Sequence, residues 1–343
     1  MTPLALAGEF YRAQARRDRR AANAVQALWR SADPMDLSGW FDGHADELVV
    51  AILAAQEANA AEAQDYLEAQ VAEQDAAAPE ALIDPVAFTT PADAARSMAY
   101  SSSVLTAKTA IASGVPAAVA TKWATKRLVG LAATMAADAG REATQAGMTS
   151  ARMDGWVRML QLPSCDRCVV QAGKWFAWNT GFQRHPGCDC VHVPVDKRRD
   201  APDAAIDPAA AVRAGQVKGL SMADRQAILD GADPSQVINA KRGMGTANVF
   251  GRDVKITSEG TTRRGLYGGY QRAADGTLTR RPDAGYLRAR SAAGQLERYR
   301  RLQAPRLAPS ECYRLADGNQ EEALRLLLRN GYLTPGLPAS QAA

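Results

Sequence analysis

Four of the five cysteines and two of the three histidines in this 343-residue chain fall between Cys165 and His192, and nothing else in the sequence restricts its fold as sharply. The order is Cys165-Asp-Arg-Cys168, sixteen intervening residues, His185-Pro-Gly-Cys188, then Cys190 and His192. Two pairs, each with two residues between its members, suit a tetrahedral metal, because a tight turn brings both side chains of a pair to the same side. Pro186-Gly187 is a favoured centre for such a turn. The stretch between the pairs carries Gly173, Trp175, Phe176, Trp178 and Gly181 and is long enough for a hairpin that returns the chain to the metal.

The ligands are in surplus. If 188–192 is extended, Cys188, Cys190 and His192 project from one face, so a four-cysteine site competes with a three-cysteine, one-histidine site. The preferred set is Cys165 and Cys168 with His185 and one of Cys188 or Cys190. A closed structural Zn2+ is the leading reading, with metal-free thiols or a disulfide pair as its alternative. An open catalytic zinc is disfavoured, because only Asp166 and Asp189 are local candidates for the carboxylate base such a site needs.

The expected fold class is mainly α with a small zinc-stapled α+β module, long N-terminal helices and a mixed, basic C-terminal region. The chain has 70 alanines, and a methyl-rich apolar fraction favours closely packed helices over aromatic clusters. Apolar residues at helical spacing predict a helix over Leu4–Arg30, stopped by the Ser31–Pro34 turn, and a second from Asp36 or Ser38 to about Gln74. Asp75–Pro85 reads as a linker. Thr90-Pro91 offers an N-cap and first-turn proline for a third helix to about Ser113. A fourth runs from Pro116 to about Ala146, with Trp123, Leu128, Leu131 and Met135 on one side.

From Gly147 the texture changes. Trp156–Leu160, Lys174–Trp178 and Val191–Val195 read as short strands. Pro208–Ala214, Ser221–Asp230 and Asp233–Ala240 read as short helices, and Val249–Thr257 as a strand pair about Gly251. Gly260–Arg281 reads as a glycine- and arginine-rich arm, with helices over Ala284–Gln303 and Ser310–Asn330. The expected domains are 1–147, helical; 148–200, the Cys/His module; and 201–343, helical with the basic arm at 260–281.

Charge is polarised along the chain. Phe41–Tyr100 holds twelve Asp or Glu against one Arg, whereas Gly245–Arg306 holds thirteen Lys or Arg against five acids. Arg263, Arg264, Arg272, Arg280 and Arg281, interleaved with Tyr267 and Tyr270, are candidates for neutralising phosphates without reading bases. A solvated loop is the equally weighted alternative. The longest apolar run, about Leu128–Ala137, is broken by Gly130 and flanked by charges, so no membrane span is expected. The N-terminus lacks the pattern of a secretory leader, and the protein is expected to be made in the cytosol.

Cys165-x-x-Cys168, Gly173 and Phe182-Gln-Arg-His185-Pro-Gly-Cys188-Asp-Cys190-x-His-x-Pro194 resemble the signature of the phage Mu F-like minor head proteins. The similarity continues in Leu28-Trp29-Arg30, Asp33-Pro-Met-Asp36, Asp230–Asn239, Arg242-Gly-Met244 and Ser310–Tyr332, which look like minor capsid proteins of actinobacterial tailed phages. The resemblance implies a low-copy virion protein of the capsid interior, assembled in the host cytoplasm. It also implies a role in head morphogenesis, contacts with portal, major capsid or scaffold proteins, and a place near packaged DNA.

No enzyme is expected. The alternative is a capsid maturation protease, but a serine protease here would need His44, His185 or His192 as base. Two of those lie in the metal cluster, leaving His44 with Ser101, Ser102 or Ser103, and there is no Gly-x-Ser-x-Gly elbow. A sequence-specific zinc finger is disfavoured, since Val191–Val195 reads as a strand and not a recognition helix.

Overall fold

The computed structural model describes residues 1–182, 184–185, 187–188, 190–196, 201–249, 251–259, 270–272, 278–280, 287–290 and 296–333. The chain divides into two compact units, one of residues 1–161 with 171–205 and the other of 162–170 with 206–343. Helices dominate, with small sheets in each unit.

The first unit is built on three long helices, α1 (Pro3–Trp29), α2 (Leu37–Glu73) and α5 (Ala117–Ser150), which pack pairwise on one another. The Thr2 hydroxyl caps α1 by accepting the Ala5 N–H at 3.2 Å, and the Asp36 carboxylate caps α2 by accepting that of Gly39 at 2.9 Å. Between α2 and α5 runs an unbroken helical segment. It consists of α3 (Ala92–Tyr100), a π-turn over Ser101–Leu105 and α4 (Thr106–Ala112). Thr90 does not cap α3, because its hydroxyl and N–H are both bonded to the Gln56 side chain; Pro91 takes the cap position without a side-chain bond.

Trp29, Phe41, Leu48, Ile52, Leu128 and Met135 form one core, interleaved with Ala45, Ala99, Ala107, Ala124 and Ala132, which let the helix axes approach closely. Trp123 does not join that core. It is 52% exposed, while Leu128 and Met135 of the same expected stripe are buried. Gly147 lies inside α5 and does not end it. A Cβ there would stand 2.6 Å from Leu67 Cδ2, so this glycine marks close packing of α5 on α2.

A polar layer fixes the helix register. Gln14 of α1 and Gln56 and Asn59 of α2 donate to three successive α5 carbonyls, those of Ala137, Met135 and Ala136, at 3.3, 3.4 and 2.9 Å. Sliding α5 by one residue would leave these buried amides unpaired, at about 1–3 kcal/mol each. Asn59 also donates to Asp18 at 2.7 Å.

Burial pushes the Asp18 carboxyl up to about 6, against the pull of Asn59, Arg141 and Arg17. A carboxyl raised in the folded state contributes stability below its unfolded value near 3.8, and that contribution is lost as pH rises through about 6. The rise of about two pH units corresponds to at most about 3 kcal/mol. Asp18→Asn, which keeps an acceptor for Asn59, is therefore expected to raise stability by about 1–3 kcal/mol at pH near 7.5 and to change little at pH near 4. Urea unfolding followed by helical circular dichroism at the two pH values checks this; equal effects at both would refute it.

The first unit closes with a three-stranded antiparallel sheet in the order β3 (Trp175–Ala177), β1 (Gly155–Met159), β4 (Val191–Val195). β1 pairs Trp156 with Phe176 on one side and with Pro194 on the other. Val157, Val191, Val193 and Val195 pack with Phe10, Ala60, Ala63 and Tyr66, so every residue of β1 and β4 is buried.

The second unit contains the two-stranded parallel pair β2 (Ser164–Cys165) and β5 (Val217–Lys218) and the four-residue turn α6 (Asp166–Val169). Short helices follow: α7 (Pro208–Arg213), α8 (Met222–Leu229) and α9 (Pro234–Ala240). Asp207 and Asp233 cap α7 and α9 ahead of a first-turn proline, and Ser221 with Asp224 forms a capping box on α8. These helices enclose Val169, Val212, Val217, Ile228 and Val237 together with Cys312 of α10 (Pro309–Ala316), Leu327 of α11 (Gln320–Arg329) and Tyr332 just beyond it. Burial pushes the Cys312 thiol up to about 12.

A hairpin of β6 (Met244–Val249) and β7 (Arg252–Glu259) turns at Gly251, and a separate pair joins β8 (Tyr270–Arg272) to β9 (Leu278–Arg280). Among the described residues of 284–303, the expected helix is not formed. β10 (Leu287–Arg290) and β11 (Leu296–Leu307) occupy the described part of that stretch and extend the β6–β7 hairpin in the order β10-β11-β7-β6. Leu, Arg and Glu are good helix formers, but pairing to a distant strand edge overrides local propensity.

Candidate metal centre

Cys165, Cys168, His185 and Cys188 each bring one ligand atom to within 4.8 Å of the others. The first pair sits at the start of α6, where Cys165 is the N-cap and its Sγ accepts the Cys168 N–H at 3.3 Å. An amide aimed at a sulfur favours the thiolate, the form that binds metal. Lys241 Nζ holds this turn from outside, 2.6 Å from Asp166 Oδ2 and 3.5 Å from Asp224 Oδ2. The second pair sits on a turn ahead of β4. The Cys188 N–H closes it onto the His185 carbonyl at 3.1 Å, and Gly187 has the positive φ of 74° that a side chain would strain.

Two buried arginines hold the segment from Cys188 to Cys190. Arg141 of α5 donates from Nε to the Cys190 carbonyl at 2.9 Å and from Nη2 to that of Cys188. Its Nη1 pairs with Asp138 at 3.1 Å. Arg158 of β1 lies 4.1 Å above the Phe182 ring and points Nη1 at Cys190 Sγ, 2.8 Å away. Arg184 adds a third cation, bonded to Asp138 and Glu142. Three thiolates on a divalent ion carry net negative charge, and this arginine field opposes it.

Cys190 stands beside the four, its Sγ 2.8 Å from that of Cys188. His192 belongs to the aromatic core, 4.0 Å from the Phe182 ring and 4.7 Å from that of Trp156, with Nε2 3.1 Å from Gln145 Oε1. Burial, then Arg158, Arg141 and Arg184, holds it well below the ordinary imidazole value and so neutral. His44 donates from Nδ1 to the Trp40 carbonyl at 2.8 Å and stacks on that indole, while Ser103 donates to the Ala99 carbonyl at 2.6 Å. Arg263, Arg264 and Arg281 lie outside the described residues, and Arg272 and Arg280 lie on the paired strands β8 and β9.

The donor set fits a metal. Three sulfurs and one imidazole nitrogen, gathered from two two-residue turns, can hold a tetrahedral ion, and the second shell expected of such a site is present in Arg141, Lys241 and the Cys168 amide. Arg141 and Arg158 escaped the sequence reading because an arginine in a helix or strand normally marks the solvent face. The signal was their position, one within the alanine stripe of α5 and one in the middle of an otherwise apolar strand.

Fold and site define a helical protein with a Cys/His cluster able to hold a metal ion. A family model described as VG15 protein matches residues 1–214, more than half of the chain, and the chain belongs to this phage protein family. The matched stretch contains all of the long helices and both ligand pairs. No curated protein and no solved structure matches the chain. Among the described residues, no helix is long and apolar enough to cross a membrane.

Proposed function

We propose that this phage protein is a minor head protein of the Mu F-like type, acting in head morphogenesis through contacts with portal, major capsid or scaffold proteins inside the capsid. The observation that carries the proposal is the Cys165, Cys168, His185, Cys188 cluster, which lies within the family-matched region and has the spacing of the Mu F-like signature. Zn2+ is the assigned ion, because thiolate-rich tetrahedral sets with imidazole select it. Four protein ligands would fill a tetrahedral ion and leave no position for a reacting water, so the ion is assigned a structural and not a catalytic role. The basic segment 245–306 is the part placed against packaged DNA, through phosphates only.

Quantitative mass spectrometry of purified procapsids and virions tests this. A few copies per particle, lost from heads assembled without the portal, support the reading. Absence from both particles would overturn it. The protease alternative makes a different prediction: Ser103→Ala or His44→Ala would leave the major capsid protein uncleaved.

A further inference from the structure

The first unit segregates its charge by helix. Residues 31–95 contain fourteen Asp or Glu and no Lys or Arg, while 94–137 contain five Lys or Arg and no acid. Much of this charge is unspent: among the described residues, Glu47, Glu57 and Asp65 of α2 and Lys122, Lys126 and Arg127 of α5 are exposed and make no ion pair. Each stripe also carries apolar surface that a solvated face would not select. Val119 and Trp123 on α5 are 39% and 52% exposed, and Val50 on α2 is 65% exposed beside the small exposed Ala54. The spacing Val119, Lys122, Trp123, Lys126 and the spacing Glu47, Val50, Ala54, Glu57 both follow one face of a helix.

We propose that this protein associates with further copies of itself, the basic, tryptophan-bearing face of α5 on one copy seating against the acidic Val50–Ala54 face of α2 on the next. α2 and α5 contact each other, and both pack on α1 on one side and on the α3–α4 segment on the other. Their free faces therefore look away from one another, and the pairing is head to tail. Such an interface closes into a ring if the rotation between copies permits, and otherwise extends as a chain. Trp123 supplies the buried aromatic anchor, with Ala54 leaving room for the indole, and the flanking lysines and glutamates set register and salt dependence. This inference rests on charge and exposure and does not require the minor head reading.

Sedimentation velocity of the full chain over a concentration series tests it in about 0.1 M and about 1 M salt, between which the screening length falls from about 10 to about 3 Å. Wild type is expected to associate at the lower salt and to be monomeric at the higher. Lys122→Glu/Lys126→Glu and Glu47→Lys/Glu57→Lys should each be monomeric alone and should associate when mixed, since each retains the face the other has lost. Trp123→Ser should weaken association at least roughly tenfold, with unchanged circular dichroism because the side chain is exposed. A wild type monomeric at low salt, association that survives in either charge variant, or a mixture that stays monomeric would each overturn the proposal.

Discussion

Replacing Cys168 with serine is expected to abolish metal binding at the cluster proposed to hold zinc and to unfold the turns on which the ligands sit, while the long N-terminal helices persist. Serine keeps the size of the side chain but offers no thiolate, and three remaining donors hold a structural zinc far more weakly than four. Binding at such sites is worth about 10–16 kcal/mol in small zinc peptides and is inseparable from the folding of the loops that provide the ligands. The loss should therefore appear as a vanished cooperative step and not as a small shift in a midpoint. One equivalent of zinc per chain in the wild type, none in Cys168→Ser or Cys188→Ser, and one in Cys312→Ser is the expected pattern by plasma mass spectrometry. Cys190→Ser decides the surplus ligand: retention of one zinc supports the four clustered residues, whereas loss in Cys190→Ser with retention in Cys188→Ser would make Cys190 a ligand in place of Cys188. Chelation of the wild type should reproduce the Cys168→Ser state by hydrogen exchange, with protection lost around 165–190 and kept in α2 and α5. Equal zinc in wild type and both ligand variants would refute the site.

The helices of the first unit were legible in the sequence because their signals are local. Proline and glycine bracket them, apolar residues recur at helical spacing, and α1, α2 and α5 begin within a residue or two of the expected positions. Short-range cysteine spacing likewise pointed to both ligand pairs. What the sequence could not display was non-local. Whether 284–303 becomes helix or strand depends on a free edge at β7, which no window of that segment contains. Trp123 stands five residues before Leu128, out of step with the buried Ala120, Ala124, Leu128 and Ala132, so the phase of α5 turns it to solvent although its neighbour Ala124 lies in the core. His192 reads as a ligand by alternation along an extended strand, yet the β4 pairing sends it into an aromatic pocket beside Trp156.

The Arg141 side chain links bundle to metal loop, and its removal should cost more than any surface charge. It is 3% exposed and spends its guanidinium on two carbonyls of the second ligand turn, those of Cys188 and Cys190, and on Asp138. Arg141→Ala leaves those carbonyls without a donor in a space that water would have to enter, and it removes one of two partners from Asp138, whose other is Arg184. Breaking a buried, hydrogen-bonded charge of this kind typically costs about 3–5 kcal/mol. A lysine reaches as a single point charge and cannot fork, so Arg141→Lys should recover only part of that. The effect also has to reach the metal, since a displaced Cys188 carbonyl displaces its thiolate. Zinc affinity measured by competition with a chromophoric chelator is expected to fall about 10–100-fold in Arg141→Ala. The control, Arg213→Ala, breaks only a half-exposed 3.9 Å contact with Asp207 and should change neither stability nor affinity beyond about 0.5 kcal/mol. A variant that is destabilised but binds zinc as tightly as wild type would restrict Arg141 to packing; one that loses both ties the helical bundle to the metal loop through a single guanidinium.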